Sequence, residues 1–254
     1  MNGANGQEEG RYLYCVTRAD IANGLDLKGL DDQPVHLVSE GGLGVVVSPS
    51  AVKRYRLIRE YSLAHEMVIE QAMTHGTVLP VKFSTVAKSE DAIREKVLRD
   101  HGEELSRLLA EMDGKVELGL KVFWNNERVY ADIVEHNSPI RHLRDQLAAR
   151  PASATHYERI RLGRMVEEAL GNRRQADADY IVDRLAPLAV ETCRNTVFGE
   201  TMILNGAFLV ESARELDFDA AVQCLDEELA GLITIKYVGP LPPFSFVDLV
   251  IAWN

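Results

Sequence analysis

The strongest constraint on the fold comes from TVLPVKFSTV, Thr77 to Val86, a strand-like segment that lies between two helical patterns. Leu79, Val81 and Phe83 occur at every second position, which is the side-chain period of a strand with one buried face. Pro80 lies among them and has no backbone N–H to donate to a neighbouring strand. We therefore predict a short edge strand or bulged segment, with the three alternating apolar side chains directed into a core.

Strand and helix patterns alternate through the first half of the chain. In chain order they are a strand at 11–17, a hairpin at 34–50 with its turn at Gly41–Gly42, a helix at 59–75, the Pro80 strand, a helix that begins after the N-cap Ser89, and a strand at 116–124. Two helices on one face of a mostly antiparallel sheet predict an α+β domain over residues 11–124. The nearest simple template is the split βαβ, or ferredoxin-like, motif.

After Trp124 the pattern becomes mainly helical, so we place a domain boundary there and a second α+β domain with added helices at residues 125–254. Its predicted elements are a helix from about 127 to 149, a helix from 155 that continues through Thr192 with or without a break at Gly171–Asn172, one or two strands around Asn205–Gly206, a helix at 218–230 and a strand at 232–239. The final GPLPPFSFVDL contains three prolines, which should prevent regular strand pairing there.

Composition narrows the classes of function. Lys and Arg number 28 against 39 Asp and Glu, and the net charge of −11 disfavours binding to nucleic acid or to anionic membranes. Three scattered cysteines without a CxxC fit a reducing compartment better than a disulfide framework or a zinc site. Residues 1–10 are polar and acidic, which predicts a flexible tail rather than a signal peptide. No apolar run approaches the ~18 residues of a membrane helix, so we expect a soluble, cytoplasmic protein.

No motif in the chain predicts catalysis or a cofactor. His65–Glu66 is followed by His75, but the zinc motif HExxH would need a histidine at Ile69. The glycine-rich residues 40–44 lack the lysine of a phosphate loop, and the GxSxG nucleophile motif is absent. We therefore predict no enzyme activity, no metal and no cofactor, and we interpret both histidines as ordinary exposed or partly buried helix residues.

Arg54, Arg56 and Arg59 form a small basic patch with Tyr55 ahead of the first helix. Such a patch can hold an acidic partner. The alternative is a solvent-exposed turn without a binding role, and the residues alone favour this simpler interpretation without excluding the other.

Several segments taken together resemble the gas vesicle protein F/L family, minor proteins of the gas-filled flotation organelles of microbes. In chain order they are YLYCV, LDLKGLDDQPVH, HEMVIEQAM, TVLPVKFSTV, GKVELGLKVFW and GPLPPFSFV, which extend from Tyr12 to Val247. LDLKGLDDQPVH is more similar to the F branch. Lys82 and Ser84 stand where the family often has arginine and glycine, and Phe244 stands where it has tyrosine.

The resemblance implies a ferredoxin-like first domain and a modified, helix-rich relative of it as the second. It also implies a non-enzymatic role at the gas vesicle, in which the protein binds the small hydrophobic major shell protein, prevents its aggregation and supports vesicle nucleation. Contact with other minor gas vesicle proteins would be consistent with that role. The alternative is a small-molecule-binding or catalytic α+β protein, because a fold alone does not define a function.

The terminal segment, Gly239 to Val247, is the candidate interaction site. Its candidate partner-binding residues are Pro240, Pro242, Pro243, Phe244 and Phe246. Because the prolines cannot complete a sheet and the apolar side chains should avoid water, the segment is buried either against the protein itself or against a partner. We expect internal docking, from which the segment could still present an edge to the shell protein.

Overall fold

The computed structural model describes residues 9–24, 27–249 and 251. The predicted flexible tail, residues 1–10, lies outside this part of the chain except for Glu9 and Gly10. These two residues are not part of a tail, because they begin the first strand.

The chain divides into two compact units. One contains the chain up to Glu117 together with the chain from Pro240 onward, and the other spans Leu118–Gly239. The division falls ahead of the predicted boundary at Trp124, and the terminal segment belongs to the first unit rather than to the second. The terminal segment belongs to the first unit because Phe244 packs against the hydrophobic core of that unit.

The first unit is built on an antiparallel sheet. Its strands are β1 (Glu9–Arg18), β2 (His36–Glu40), β3 (Leu43–Ala51), β4 (Val78–Pro80) and β5 (Val86–Ala87). Their order is β2-β3-β1-β4, and β5 also pairs with β1. Gly41 and Gly42 form the turn between β2 and β3 with φ of 59° and 83°, values that favour glycine, so the predicted hairpin is confirmed.

Three α-helices belong to the first unit: α1 (Arg59–Met73), α2 (Glu90–Ile93) and α3 (Gly102–Met112). A π-helical turn at Arg94–Arg99 lies between α2 and α3, so the one helix predicted from the Ser89 cap through Met112 is divided. Short 3-10 turns occupy the connection between β1 and β2. Ser89 caps α2 as predicted, since its Oγ accepts a hydrogen bond from the Ala92 N–H at 3.1 Å.

The Pro80 strand lies where the sequence predicts, because β4 is the last strand in the order. Leu79 and Val81 are buried as predicted, but Val78 and Pro80 are buried too, so the strand is covered on both faces rather than on one. Phe83 is only half-buried, because the chain leaves the strand after Pro80 and turns through Ser84, whose φ is 70°. Phe83 still packs against the core, from its margin.

The second sheet contains β6 (Lys115–Trp124), β7 (Glu191–Arg194), β8 (Met202–Glu211) and β9 (Ile233–Leu241), in the order β7-β8-β6-β9. The helices α4 (Asn126–His136), α5 (Ser138–Ala148) and α6 (His156–Leu185) lie between β6 and β7 in the chain, and α7 (Glu215–Glu228) lies between β8 and β9. Numbered within each unit, both sheets therefore follow the order second, third, first, fourth. None of the helices in the described ranges has the length and apolar character needed to cross a membrane.

Two helix predictions in this half are corrected. The helix expected at 127–149 is two helices, because Asn137 ends α4 and its side chain accepts a hydrogen bond from the Ile140 N–H to cap α5. Helix α6 runs without a break through Gly171, but it ends at Leu185, so Thr192 lies in the strand β7 rather than in a helix.

Of the one or two strands predicted around Asn205–Gly206 the structure has one, because both residues lie inside β8, which pairs with β7. The expectation for the prolines is corrected. Strand β9 continues through Pro240 to Leu241, one residue beyond the first of the three prolines that were expected to prevent pairing. Regular structure ends only at Pro242.

Candidate interaction site

The terminal segment turns immediately after β9. The Phe244 N–H donates to the Pro242 carbonyl at 2.7 Å, and the N–H groups of Phe246 and Val247 donate to the Pro243 carbonyl at 3.2 and 3.1 Å. The prolines have no N–H to donate to a neighbouring strand, so strand pairing does not continue here. Their carbonyl groups remain free to accept the three bonds within the turn. The result is a compact turn in which the backbone itself supplies these three hydrogen bonds.

The candidate residues of this segment differ in exposure. Pro242 and Pro243 are buried, Phe244 and Phe246 are half-buried, and Pro240 is exposed within β9. This burial agrees with the expected internal docking. Whether any of the five residues also contacts a partner stays a prediction.

Glu117 holds the turn in place and is a site residue that the sequence pattern misses. Its carboxylate accepts hydrogen bonds from the Ser245 N–H at 2.6 Å and from the Ser245 hydroxyl at 2.8 Å, and its residue exposure is 5%. Burial raises the pKa of Glu117, while the two Ser245 hydrogen bonds act in the opposite direction. The strand alternation of VELGLKVFW assigns this glutamate to the solvent face, and no local signal reveals a partner 128 residues away.

Asp248 and Leu249, which follow the terminal segment, contact the segment that follows Pro80. Val81 and Leu249 form an isolated parallel bridge, and Lys82 Nζ lies 2.5 Å from an Asp248 carboxylate oxygen. The Lys82–Asp248 pair is exposed, so it contributes little to stability. The residues that directly follow GPLPPFSFV therefore contact TVLPVKFSTV in the folded first unit.

Beneath these segments lies a tyrosine–histidine cluster, formed by Tyr12, Tyr14, Tyr55 and His65. The Tyr12 hydroxyl lies 3.2 Å from His65 Nδ1 and accepts a hydrogen bond from the Ser84 N–H at 2.9 Å. The rings of Tyr12 and Tyr14 are 5.0 Å apart, and Tyr55 meets Tyr12 edge-on at 5.3 Å. Such ring pairs add to the stability gained from burial.

The polar atoms of the tyrosine–histidine cluster are satisfied within the protein. Burial lowers the pKa of His65 to about 4, so this imidazole is neutral near pH 7, and its Nε2 lies 3.2 Å from the Val81 carbonyl oxygen. Burial also raises the pKa of Tyr12 well above its ordinary value. A neutral, enclosed histidine between a tyrosine and a carbonyl serves to fix the packing of β1 and α1.

The other residues considered for chemistry do not converge on a site. His75 is exposed as expected and lies 3.1 Å from the Gln71 carbonyl oxygen. The expectation of an exposed or partly buried side chain is wrong for His65, which is buried because Tyr12 and the Val81 carbonyl satisfy both of its ring nitrogens. Among the described residues, no three His, Cys, Asp or Glu side chains are grouped as metal ligands would be. Cys15 is buried in β1, and this burial raises its thiol pKa.

The second unit contains a groove of about 630 Å³ between α4 and α6. Trp124 forms part of its lining; its Nε1–H donates to Asp177 at 2.9 Å, and the Arg174 guanidinium lies 5.5 Å from its ring centre. Gly163 and Gly171 of α6 also line the groove and leave open space where a side chain would be. A groove of this size is within the range of small-molecule sites.

These features define a class: a two-unit α+β protein whose terminal segment is docked on an enclosed aromatic core. The family model described as "Gas vesicle synthesis protein GvpL/GvpF" matches residues 10–248. The chain belongs to this gas vesicle protein L/F family.

Curated relatives agree with the family assignment. The gas vesicle protein F of Microcystis aeruginosa is 28% identical over 95% of this chain and 99% of its own length. The gas vesicle protein F of Dolichospermum flosaquae is 30% identical over 94% and 97%, and gas vesicle protein L1 of Halobacterium salinarum is 26% identical over 93% and 90%.

Solved structures agree as well. The crystal structure of the gas vesicle protein GvpF from Anabaena matches with a TM-score of 0.83 and 28% identity, over 95% of this chain and 99% of that one. The GvpF structure from Microcystis aeruginosa matches with a TM-score of 0.77. The predicted resemblance is confirmed, and the similarity to F proteins agrees with the predicted branch.

Proposed function

We propose that this protein is an assembly factor and minor structural component of gas vesicles that binds the hydrophobic major shell protein. The observation that carries the proposal is the family match over residues 10–248, nearly the whole chain. A subunit whose apolar face will line a gas space exposes that face before assembly and is prone to aggregate. A protein with a net charge of −11 that covers the face would keep the subunit available for vesicle nucleation.

We further propose that the protein is not an enzyme and that it acts in the cytoplasm and at the vesicle. This proposal is supported by the tyrosine–histidine cluster, whose polar groups hydrogen-bond within the protein, to each other, to serines and to backbone groups. The excess of acidic residues supports protein partners, including other minor gas vesicle proteins, over nucleic acid or anionic membranes.

We also propose that both units are ferredoxin-like. In the second unit the chain order of strand, helices, two strands, helix and strand, with sheet order β7-β8-β6-β9, supports this description. In the first unit β1 to β4 have the same relative order, with 3-10 turns in place of the first crossover helix.

Co-expression with the major shell protein tests the function. The tagged protein is produced together with the shell protein, and the shell protein left in the supernatant after high-speed centrifugation is measured. We expect more of it than with an unrelated acidic protein, and we expect it to copurify with the tag. Equal amounts in both supernatants, without copurification, would contradict the proposal.

The groove between α4 and α6 supports the alternative function, binding of a small molecule. A ligand that binds the folded state raises its melting temperature, by an amount that grows with ligand concentration above Kd. Screening a panel of common metabolites by thermal shift tests this alternative. A saturable increase that disappears when Trp124 is changed to Ala would favour it over a purely structural role.

A further inference from the structure

The segment KRYRLIR, Lys53 to Arg59, is a basic and apolar surface on a protein with a large negative charge. Arg54, Arg56 and Arg59 are exposed and have no ion pair or side-chain hydrogen bond within the described part of the chain. Lys53 is different, because its Nζ lies 4.0 Å from an Asp31 oxygen and 4.6 Å from the Tyr55 ring centre. The three arginines therefore present unpaired guanidinium groups to solvent.

Exposed apolar side chains accompany these arginines. Leu57 is 75% exposed and Ile58 is 43% exposed, although a leucine is normally placed where it avoids water. On α1, Leu63 and Met67 are each 52% exposed and lie four residues apart on one helix face. The exposed Glu60 and Glu70 lie on the same face and form its acidic edge, so the basic part of the surface is the segment that precedes the helix. An apolar area with a polar rim is typical of a protein contact surface.

Tyr55 makes the segment a fixed platform. Its ring is buried, its hydroxyl lies 2.8 Å from Ser50 Oγ, and its N–H donates to Ser84 Oγ at 2.8 Å. The residues on either side of Tyr55 are thus held at the surface by a buried anchor. A partner that binds here pays less conformational entropy than it would on a mobile loop.

We propose that Arg54, Arg56, Leu57, Ile58, Arg59, Leu63 and Met67, the arginine–leucine surface, bind an apolar protein segment that carries carboxylates. Arginine forms bidentate hydrogen bonds to carboxylates and is enriched with apolar side chains at the centres of interfaces. The inference rests on the proposed function, in which that segment belongs to the major shell protein. A local positive charge on a negative protein also determines the orientation in which an acidic segment approaches.

Two pairs of variants test the surface against matched controls in the second unit. Arg54→Gln with Arg56→Gln removes two unpaired arginines, and Arg161→Gln with Arg164→Gln is the control, since this second pair is also exposed and has no ion pair within the described residues. Leu57→Ser removes one exposed leucine, and Leu216→Ser, at a residue that is 81% exposed, is its control. Each protein is co-expressed with the major shell protein, and the ratio of shell protein to tagged protein after affinity purification is measured.

We expect Arg54→Gln/Arg56→Gln and Leu57→Ser, the two variants of the arginine–leucine surface, each to lower this ratio by about tenfold. Such a decrease corresponds to the loss of one or two strong interface contacts. Both controls should match the wild type. Raising the salt concentration during washing should lower the wild-type ratio and should have less effect on the Arg54→Gln/Arg56→Gln protein, because salt screens exposed charges.

The remaining outcomes overturn the inference in distinguishable ways. If the wild type retains the shell protein and the arginine–leucine variants do so equally, the inference fails and the proposed function stands. If the wild type retains none, both fail. If the wild type sediments as an oligomer that these variants dissociate, the surface is a self-contact; if it floats with vesicles of phosphatidylcholine and phosphatidylserine and the variants do not, the surface binds lipid.

Discussion

The carboxyl group of Glu117 lies in surroundings that favour its protonated form. Its burial raises its pKa despite the two hydrogen bonds from Ser245. In the unfolded chain the same carboxyl releases its proton at its ordinary pKa, so between the two values the folded state binds more protons than the unfolded state. By linkage, the contribution of Glu117 to stability decreases as pH rises through that interval.

We predict that this pH dependence disappears in Glu117→Gln, which cannot ionise. The free energy of unfolding of the wild type minus that of the variant, measured by urea denaturation, should fall as pH is raised from the ordinary pKa of Glu117 upward. A difference that does not change with pH would contradict the raised pKa. Ser245→Ala is the companion variant, and it should be more destabilising at high than at low pH because the charged carboxylate depends more on its donors.

Phe83 provides a second residue-scale prediction. It is half-buried and meets the His65 ring edge-on at 5.6 Å. Since full burial of a phenylalanine makes its truncation cost about 3–5 kcal/mol, we expect Phe83→Ala to lower the free energy of unfolding by about 2 kcal/mol. Phe198→Ala, at a site that is 68% exposed, is the control and should be close to neutral. Equal losses for both variants would show that Phe83 has no special contact with the core.

Among the elements, those with a strong internal pattern could be predicted from the sequence. The alternation in β6, the glycine turn between β2 and β3, and the Ser89 cap are local signals that the structure confirms. Strand β7 could not be predicted, because four residues following a helical pattern fit the helix period until β8 pairs with them. The hydrogen bonds of Glu117 were equally inaccessible, since their donor is far away in the chain.

The unbroken course of α6 past Gly171 leads to a prediction at the element scale. Nothing lies within 4 Å of a Cβ built on Gly171, and the residue is inside a helix, so Gly171→Ala should raise the free energy of unfolding by about 0.5–1 kcal/mol. Gly114 has similar open space but a φ of 68°, where alanine is strained by about 1 kcal/mol, so Gly114→Ala should be destabilising. Thermal denaturation of both variants checks the opposite signs, and equal signs would contradict the helix geometry at Gly171.

At the scale of the whole molecule, the terminal segment completes the first unit. Truncation after Val238 removes the Ser245 donors, the Phe244 contact with the core and the end of β9. We predict a lower melting temperature for the isolated protein, and a smaller decrease for Phe244→Ala alone. An unchanged melting temperature together with loss of shell-protein binding would instead identify the segment as a partner surface.

The assignment of the chain from Pro240 onward to the first unit makes the second unit an insertion within the first. During synthesis on the ribosome, residues 118–239 emerge as one continuous stretch, so the second unit can fold while the chain is still growing. All strands of the first sheet are synthesised early, because they end at Ala87. The Glu117 carboxyl can bind Ser245 only after translation has passed that residue. The first unit begins to be synthesised before the second but reaches its complete native structure after it. Formation of the Glu117–Ser245 hydrogen bonds therefore requires that residues 118–239 have already been synthesised.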